Sequence, residues 1–164
     1  MWKPFQKFLG EIGVNERDIG SVIVALGARR GDYVEVYAPP SRELLKAAIG
    51  IGVDNIYSMG LYVGMMAPRK WFKPSLPLAH KLAPLCKSKA KCVAVDEAGE
   101  RFFLYGRSVL GERVPGWKPG LVLVLNSRGE ALGWGRGIIA NIGGVKRRLL
   151  EPVWDLGWYL RRGG

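Results

Sequence analysis

At 164 residues, with a formal net charge of +11 and a pI near 10.0, the chain has room for one domain or two small ones. Its field favours polyanionic partners, nucleic acid ahead of an anionic membrane. Hydrophobic residues make up 48% of the chain and no low-complexity tract occurs, which excludes a disordered protein. No apolar run approaches the ~20 residues that span a bilayer, and Met1 to Lys7 lacks a secretory core, so a cytoplasmic protein is expected.

The charge excess is spread along the chain. Residues 1–88 carry 12 basic and 7 acidic side chains, and residues 89–164 carry 13 and 7. Neither half reads as a basic tail. Thr is absent, Gln occurs once and Asn four times, a pattern consistent with a thermophilic source.

In chain order, Pro4 to Ile12 opens with an amphipathic helix. Phe5, Phe8, Leu9 and Ile12 fall at helical spacing, and Pro4 suits a first helical turn. Ser21–Leu26 and Tyr33–Tyr37 read as two strands of a hairpin joined by a turn over Arg29 to Asp32. Pro39-Pro40-Ser41 stops the second strand. Ser41 caps a helix carrying Leu44, Leu45, Ala48 and Ile49 that fades near Gly50 and Gly52. Ile56–Met66 is apolar and interrupted by Gly60 and Gly64, so it reads as a strand with a bend or bulge, with Trp71 to Lys73 placed to pair with it. Ser75–Leu85 reads as a short helix with Pro77 in its first turn.

Cys86 to Lys91 then forms a small basic connector, which sets the expected domains at 1–88 and 89–164. Cys86 and Cys92 match neither a CxxC pair nor a zinc knuckle. They read as two reduced thiols packed as small hydrophobes. Beyond them the texture changes: eleven glycines between Gly99 and Gly144 separate short apolar runs, which argues for several short strands in a small barrel. A brief helix around Phe102 and Phe103 is expected to end near Gly106.

From about Lys91 onward these runs resemble a PUA domain, a pseudobarrel found in tRNA-modification enzymes and ribosome-assembly factors. The resemblance lies in the opening strand, the helix ending at Gly106-Arg107-Ser108-Val109, the strand Pro119 to Val124, and the turn and strand Gly129 to Gly135. Arg107-Ser108 stands where many such domains have a small residue, and the acidic residue usual at the start of the next strand is missing at Leu121.

Leu44 to Ala48, Tyr57 to Gly60, Leu82-Ala83-Pro84, Phe103 to Gly106 and Asp155 to Arg161 further resemble, in this order and spacing, the Nip-seven family of large-subunit ribosome-biogenesis factors. Around residues 33–43 the chain is about one short strand briefer than that family's pattern, which leaves the sheet order open. The resemblance implies an α+β protein. An N-terminal α/β domain with a small antiparallel sheet and flanking helices precedes a C-terminal PUA pseudobarrel. It also implies an RNA-binding assembly factor without enzymatic chemistry, contacting precursor rRNA through basic PUA residues and ribosome-assembly or RNA-processing proteins through the rest.

The resemblance carries over Lys146, Arg147 and Arg148, and beyond them Arg107 and Arg136. The charge pattern agrees. Arg136, Lys146, Arg147 and Arg148 occur with no acidic residue from Ala131 through Leu150, and Arg suits bidentate phosphate contacts and base stacking in single-stranded or looped RNA. The plainer reading is a solvated basic face. Tyr105-Gly106-Arg107 combines a helix end, a turn glycine and a cation. It reads equally as an RNA approach point or as a helix stop. Arg161 and Arg162 can add phosphate contacts. Trp134 and Trp154 read as core, and Trp117 as the tryptophan most open to a base.

His80, the only histidine, lacks companions at ligand spacing. Gly133 to Gly137 lacks the GxxxxGK[ST] pattern of a phosphate loop. The expectation is therefore a monomeric RNA-binding protein with no catalytic residues, metal or cofactor, and no membrane association. The rival is an RNA-modifying enzyme, or a subunit whose PUA domain delivers its substrate.

Overall fold

The computed structural model describes residues 2–26, 33–52 and 55–162, with the side chains of Tyr159, Leu160 and Arg162 outside that description. The chain divides into two compact units, Met1–Leu82 and Ala83–Gly164. The architecture is α+β, and each unit is built around its own sheet.

In the first unit, helix α1 (Lys3–Ile12) buries Phe5, Phe8, Leu9 and Ile12 along one face and stops at Gly13, whose left-handed backbone lets its N–H reach the Leu9 carbonyl at 2.9 Å. A short helix that the apolar spacing did not announce, α2 (Glu16–Ile19), follows directly. Asp18 accepts the Asn15 N–H at its start (2.8 Å). Strands β1 (Val24–Leu26), β2 (Val34–Ala38), β3 (Leu61–Ala67) and β4 (Trp71–Pro74) pair in chain order, all antiparallel, which resolves the sheet order as a meander. The turn expected over Arg29 to Asp32 lies outside the described residues.

Helix α3 (Arg42–Ile51) is capped by Ser41, whose Oγ accepts the Leu44 N–H at 3.1 Å. The bulge expected near Gly64 is present. The β2–β3 register shifts between Val36 and Tyr37, and a Cβ on Gly64 would run into the Lys73 carbonyl across the sheet. Phe72 on β4 meets Phe5 and Phe8 with ring centroids 5.0 and 4.9 Å apart, which fastens α1 to the sheet. Helix α4 (Leu76–Leu82) buries Leu76, Leu78, Ala79 and Leu82 and packs on β3.

The second unit opens with a 3-10 turn, Ala83–Lys87, and then strand β5 (Cys92–Ala94). Here the expectation of two free thiols is corrected: Cys86 and Cys92 form a disulfide. The reason is local. The Lys89 and Ala90 N–H groups fold back onto the Leu85 carbonyl at 3.0 and 2.9 Å, bringing the two cysteine Cα atoms to 5.5 Å, a separation a disulfide spans.

Helix α5 (Glu97–Leu104), strands β6 (Val109–Leu110), β7 (Gly120–Leu125), β8 (Ala131–Ile142) and β9 (Val145–Asp155), and helix α6 (Gly157–Arg162) complete the unit. Its sheet runs β5-β7-β8-β9-β6, with β5 parallel to β7 and the rest antiparallel. The sheet curls around Val93, Val95, Phe103, Val109, Val122, Val124, Leu132 and Leu150.

Composition suggested many short strands broken at glycines; instead β8 runs 12 residues straight through Gly133, Gly135 and Gly137. These glycines are points of close approach. A Cβ on Gly137 would collide with the Lys118 carbonyl, and one on Gly133 with the Trp154 carbonyl.

Candidate nucleic-acid interface

Strands β8 and β9 form one long hairpin, turned at Gly143 and Gly144, both with positive φ (58° and 80°). Its base is clamped in the sheet. Its tip is not: β7 pairs with β8 only as far as Gly137, and β6 reaches β9 only at Leu149 and Leu150. Among the described residues, 138–148 therefore pair in the sheet only with each other, and every residue from Asn141 through Arg148 is exposed.

Lys146, Arg147 and Arg148 lie inside the last strand, because the turn at Gly143-Gly144 starts β9 at Val145. The pairs Ile139 with Arg148, Ala140 with Arg147, and Asn141 with Lys146 then fix their faces. Alternation puts Lys146 and Arg148 on one side and Arg147 on the other.

Arg147 reaches Glu112 on the neighbouring 3-10 turn, Gly111–Arg113, at 3.3 Å. Both side chains are exposed, so the pair adds little to stability. The Arg148 guanidinium carbon sits 5.2 Å from the centroid of the Trp117 ring. Trp117 is half-buried rather than open. Its Nε1 donates to the Leu149 carbonyl at 2.9 Å and its ring packs on the barrel core. Gly111 closes on the root of Arg148, where a Cβ would come within 2.7 Å of the Arg148 Cβ. The open groove between this turn and the tip is lined by Leu110 to Glu112 on one side and Val145 to Arg148 on the other.

The remaining candidates separate from this cluster. Arg136 lies lower on β8, exposed, with Glu151 as its cross-strand partner in register. Gly106 ends α5. Its N–H donates to the Phe103 carbonyl and the Arg107 N–H to the Phe102 carbonyl, both at 2.9 Å, with Gly106 at φ 72°. The helix-stop reading of Gly106 is thus met in full, and the space where its side chain would stand is filled by the Arg161 guanidinium.

Arg161 itself forms a fork on Asp155, Nη1 to Oδ1 and Nη2 to Oδ2 at 3.0 Å each, and Nη1 also donates to the Leu104 carbonyl. Asp155 is buried, so this is an internal tie between the end of β9, α5 and α6. Arg107 is exposed, and the Arg162 side chain lies outside the described residues. Trp134 is fully buried, as expected; Trp154 is half-buried, its ring 5.0 Å from that of Trp158.

Two polar frameworks brace the barrel. Asp96 caps α5, accepting the Gly99 N–H at 2.7 Å. That bond, with Arg113 at 3.0 Å, holds its carboxyl below the usual carboxylate range. At the β7–β8 turn, buried Asn126 accepts the Arg128 and Glu130 N–H groups at 3.0 Å and donates to the Glu130 carboxylate at 2.6 Å. The Asn126 bond first, and Arg128 second, hold Glu130 low as well. Among the described residues no group of His, Cys, Asp and Glu is placed to hold a metal ion, and no helix is long and apolar enough to cross a membrane.

Residues 91–164 match the UPF0113 PUA domain family, and the second unit is accordingly a PUA domain. A UPF0113 protein from Aeropyrum pernix is 46% identical over 108 residues, a stretch that covers 66% of this chain and 59% of that protein, so the chain spans less than two thirds of that relative. The crystal structure of hypothetical protein PH0734.1 from the hyperthermophilic archaeon Pyrococcus horikoshii OT3 aligns with a TM-score of 0.47 and 13% identity, covering 84% of this chain and 78% of that one. A PUA domain points to RNA as the ligand.

Proposed function

We propose that this protein is a non-enzymatic RNA-binding factor that holds precursor rRNA during assembly of the large ribosomal subunit. In this reading the PUA barrel grips RNA with the β8–β9 tip, and the first unit docks assembly or processing proteins. The observation that carries the RNA half is the tip itself: three consecutive cations on an exposed two-stranded projection, in a stretch without an acidic residue from Ala131 through Leu150. Cations so placed neutralise phosphates and release counterions.

The rRNA half rests on the resemblance to the Nip-seven family. Helix α3 supports a docking role, since Leu44, Ile49 and Ile51 stay exposed along it and of its ten residues only Ala48 is buried. A cytoplasmic monomer from a heat-adapted source belongs to the same proposal.

Titration of a U-rich single-stranded RNA at several salt concentrations tests it. Changing Lys146, Arg147 and Arg148 together to Ala is expected to weaken binding and to flatten the salt slope by about 0.7 for each phosphate that is no longer neutralised. Unchanged binding refutes the assigned surface. Turnover of rRNA or tRNA by the isolated chain in methyl-transfer or base-exchange assays refutes the non-enzymatic part.

A further inference from the structure

We propose that one face of the hairpin tip, formed by Ile139, Asn141, Lys146 and Arg148 over Trp117, is a seat for a single unpaired nucleotide, whose base stacks on the Arg148 guanidinium. The proposal rests on the RNA reading above and adds to it which part of an RNA is taken and by what interaction.

The strand register sets the face. Ile139 pairs with Arg148 and Asn141 with Lys146, and residues two apart on a strand share a side, so the four side chains form a two-by-two patch. All four are exposed, Ile139 to 63%. Their chemistry divides as a nucleotide divides: an apolar surface and a planar cation for the base face, an amide for the base edge, an ammonium for the phosphate. A site built for phosphate alone has no use for an isoleucine held in water beside its arginine.

Arg148 is also fixed before any ligand arrives. Trp117 lies beneath its guanidinium at 5.2 Å, anchored in turn by the 2.9 Å bond to the Leu149 carbonyl, and Gly111 closes against its Cβ. Little side-chain freedom is left to lose when a base stacks on it. Arg147 lies on the opposite face, paired with Glu112, and takes no part in the seat.

The seat requires a base that is out of its stack, which duplex RNA does not offer. Arg148→Lys keeps the charge and removes the plane, and at an exposed position it leaves the core untouched. With the full chain, fluorescence anisotropy compares wild type and R148K on three probes: a U-rich single strand, the same strand carrying one abasic position moved along its length, and a duplex of the same sequence. The expected result is a loss of roughly 5- to 150-fold on the single strand, the equivalent of about 1–3 kcal/mol for one stacked base. Salt slope and duplex affinity stay unchanged, and one abasic position makes the two proteins equal.

An R148K protein that matches wild type on the single strand, or loses single strand and duplex alike, overturns the seat while RNA binding stands. Failure of wild type to bind any of the three probes overturns the RNA reading and the seat with it.

Discussion

The two ends of the β8–β9 hairpin are made of the same strands and behave as different materials. At the base, Trp134, Leu132 and Leu150 are buried and glycines allow backbone to press on backbone. At the tip, residues 138–148 have no sheet neighbours among the described residues beyond each other, and they present cations to solvent. Stability and, in the function proposed above, recognition are thus separated along one element, so that a change at one end can leave the other intact.

The strongest attempt to break this division is Trp134→Ala. The side chain is fully buried, so a loss of about 3–5 kcal/mol is expected, read as a fall in the denaturant midpoint of the barrel. RNA affinity should follow only the folded fraction.

Next is Arg161→Ala. It leaves the buried Asp155 carboxylate without its fork, and a fall in the denaturant midpoint smaller than that of Trp134→Ala is expected. If Arg161 belongs to the base and not to the RNA surface, the folded variant binds RNA as wild type does; a weakened, salt-flattened isotherm would move it to the other class.

A smaller effect is expected with pH. Asp96 and Glu130 are held below their ordinary range in the folded barrel. Their contribution is therefore complete above the unfolded values of about 3.9 and 4.3 and is lost as pH falls through the lower folded values. A midpoint-against-pH curve should decline in acid, and Asp96→Asn, which keeps an N-cap acceptor, should make that decline shallower.

Smallest of all is the stability change of the Lys146, Arg147 and Arg148 triple alanine variant, about 1 kcal/mol or less, most of it from the lost Arg148–Trp117 contact. A larger drop would show that the tip is part of the framework.

The same division explains what could be read from the amino-acid order. α1 and α3 were legible because the apolar period of α1 and the Ser41 cap are local signals, and the helix stop at Gly106 because only a left-handed residue fits there. The length of the hairpin was not, since Gly133, Gly135 and Gly137 look like turn residues until the opposing Lys118 and Trp154 carbonyls are known. The cationic run was visible, but its division between two faces depends on register, and the partnership of Trp117 with Arg148 spans 31 positions that no spacing rule connects. The disulfide escaped for a related reason: six residues apart in the chain says nothing about the turn that brings Cys86 back to Cys92.

The free edges of the tip have a consequence for self-association. Beyond Gly137 and before Leu149 both strands expose unpaired backbone, flanked by Ile138, Ile139 and Ile142, the combination by which strands of separate molecules zip together. Positive charge along one of those edges opposes such pairing, so the cations that would meet RNA would also disfavour strand addition between copies while no RNA is bound.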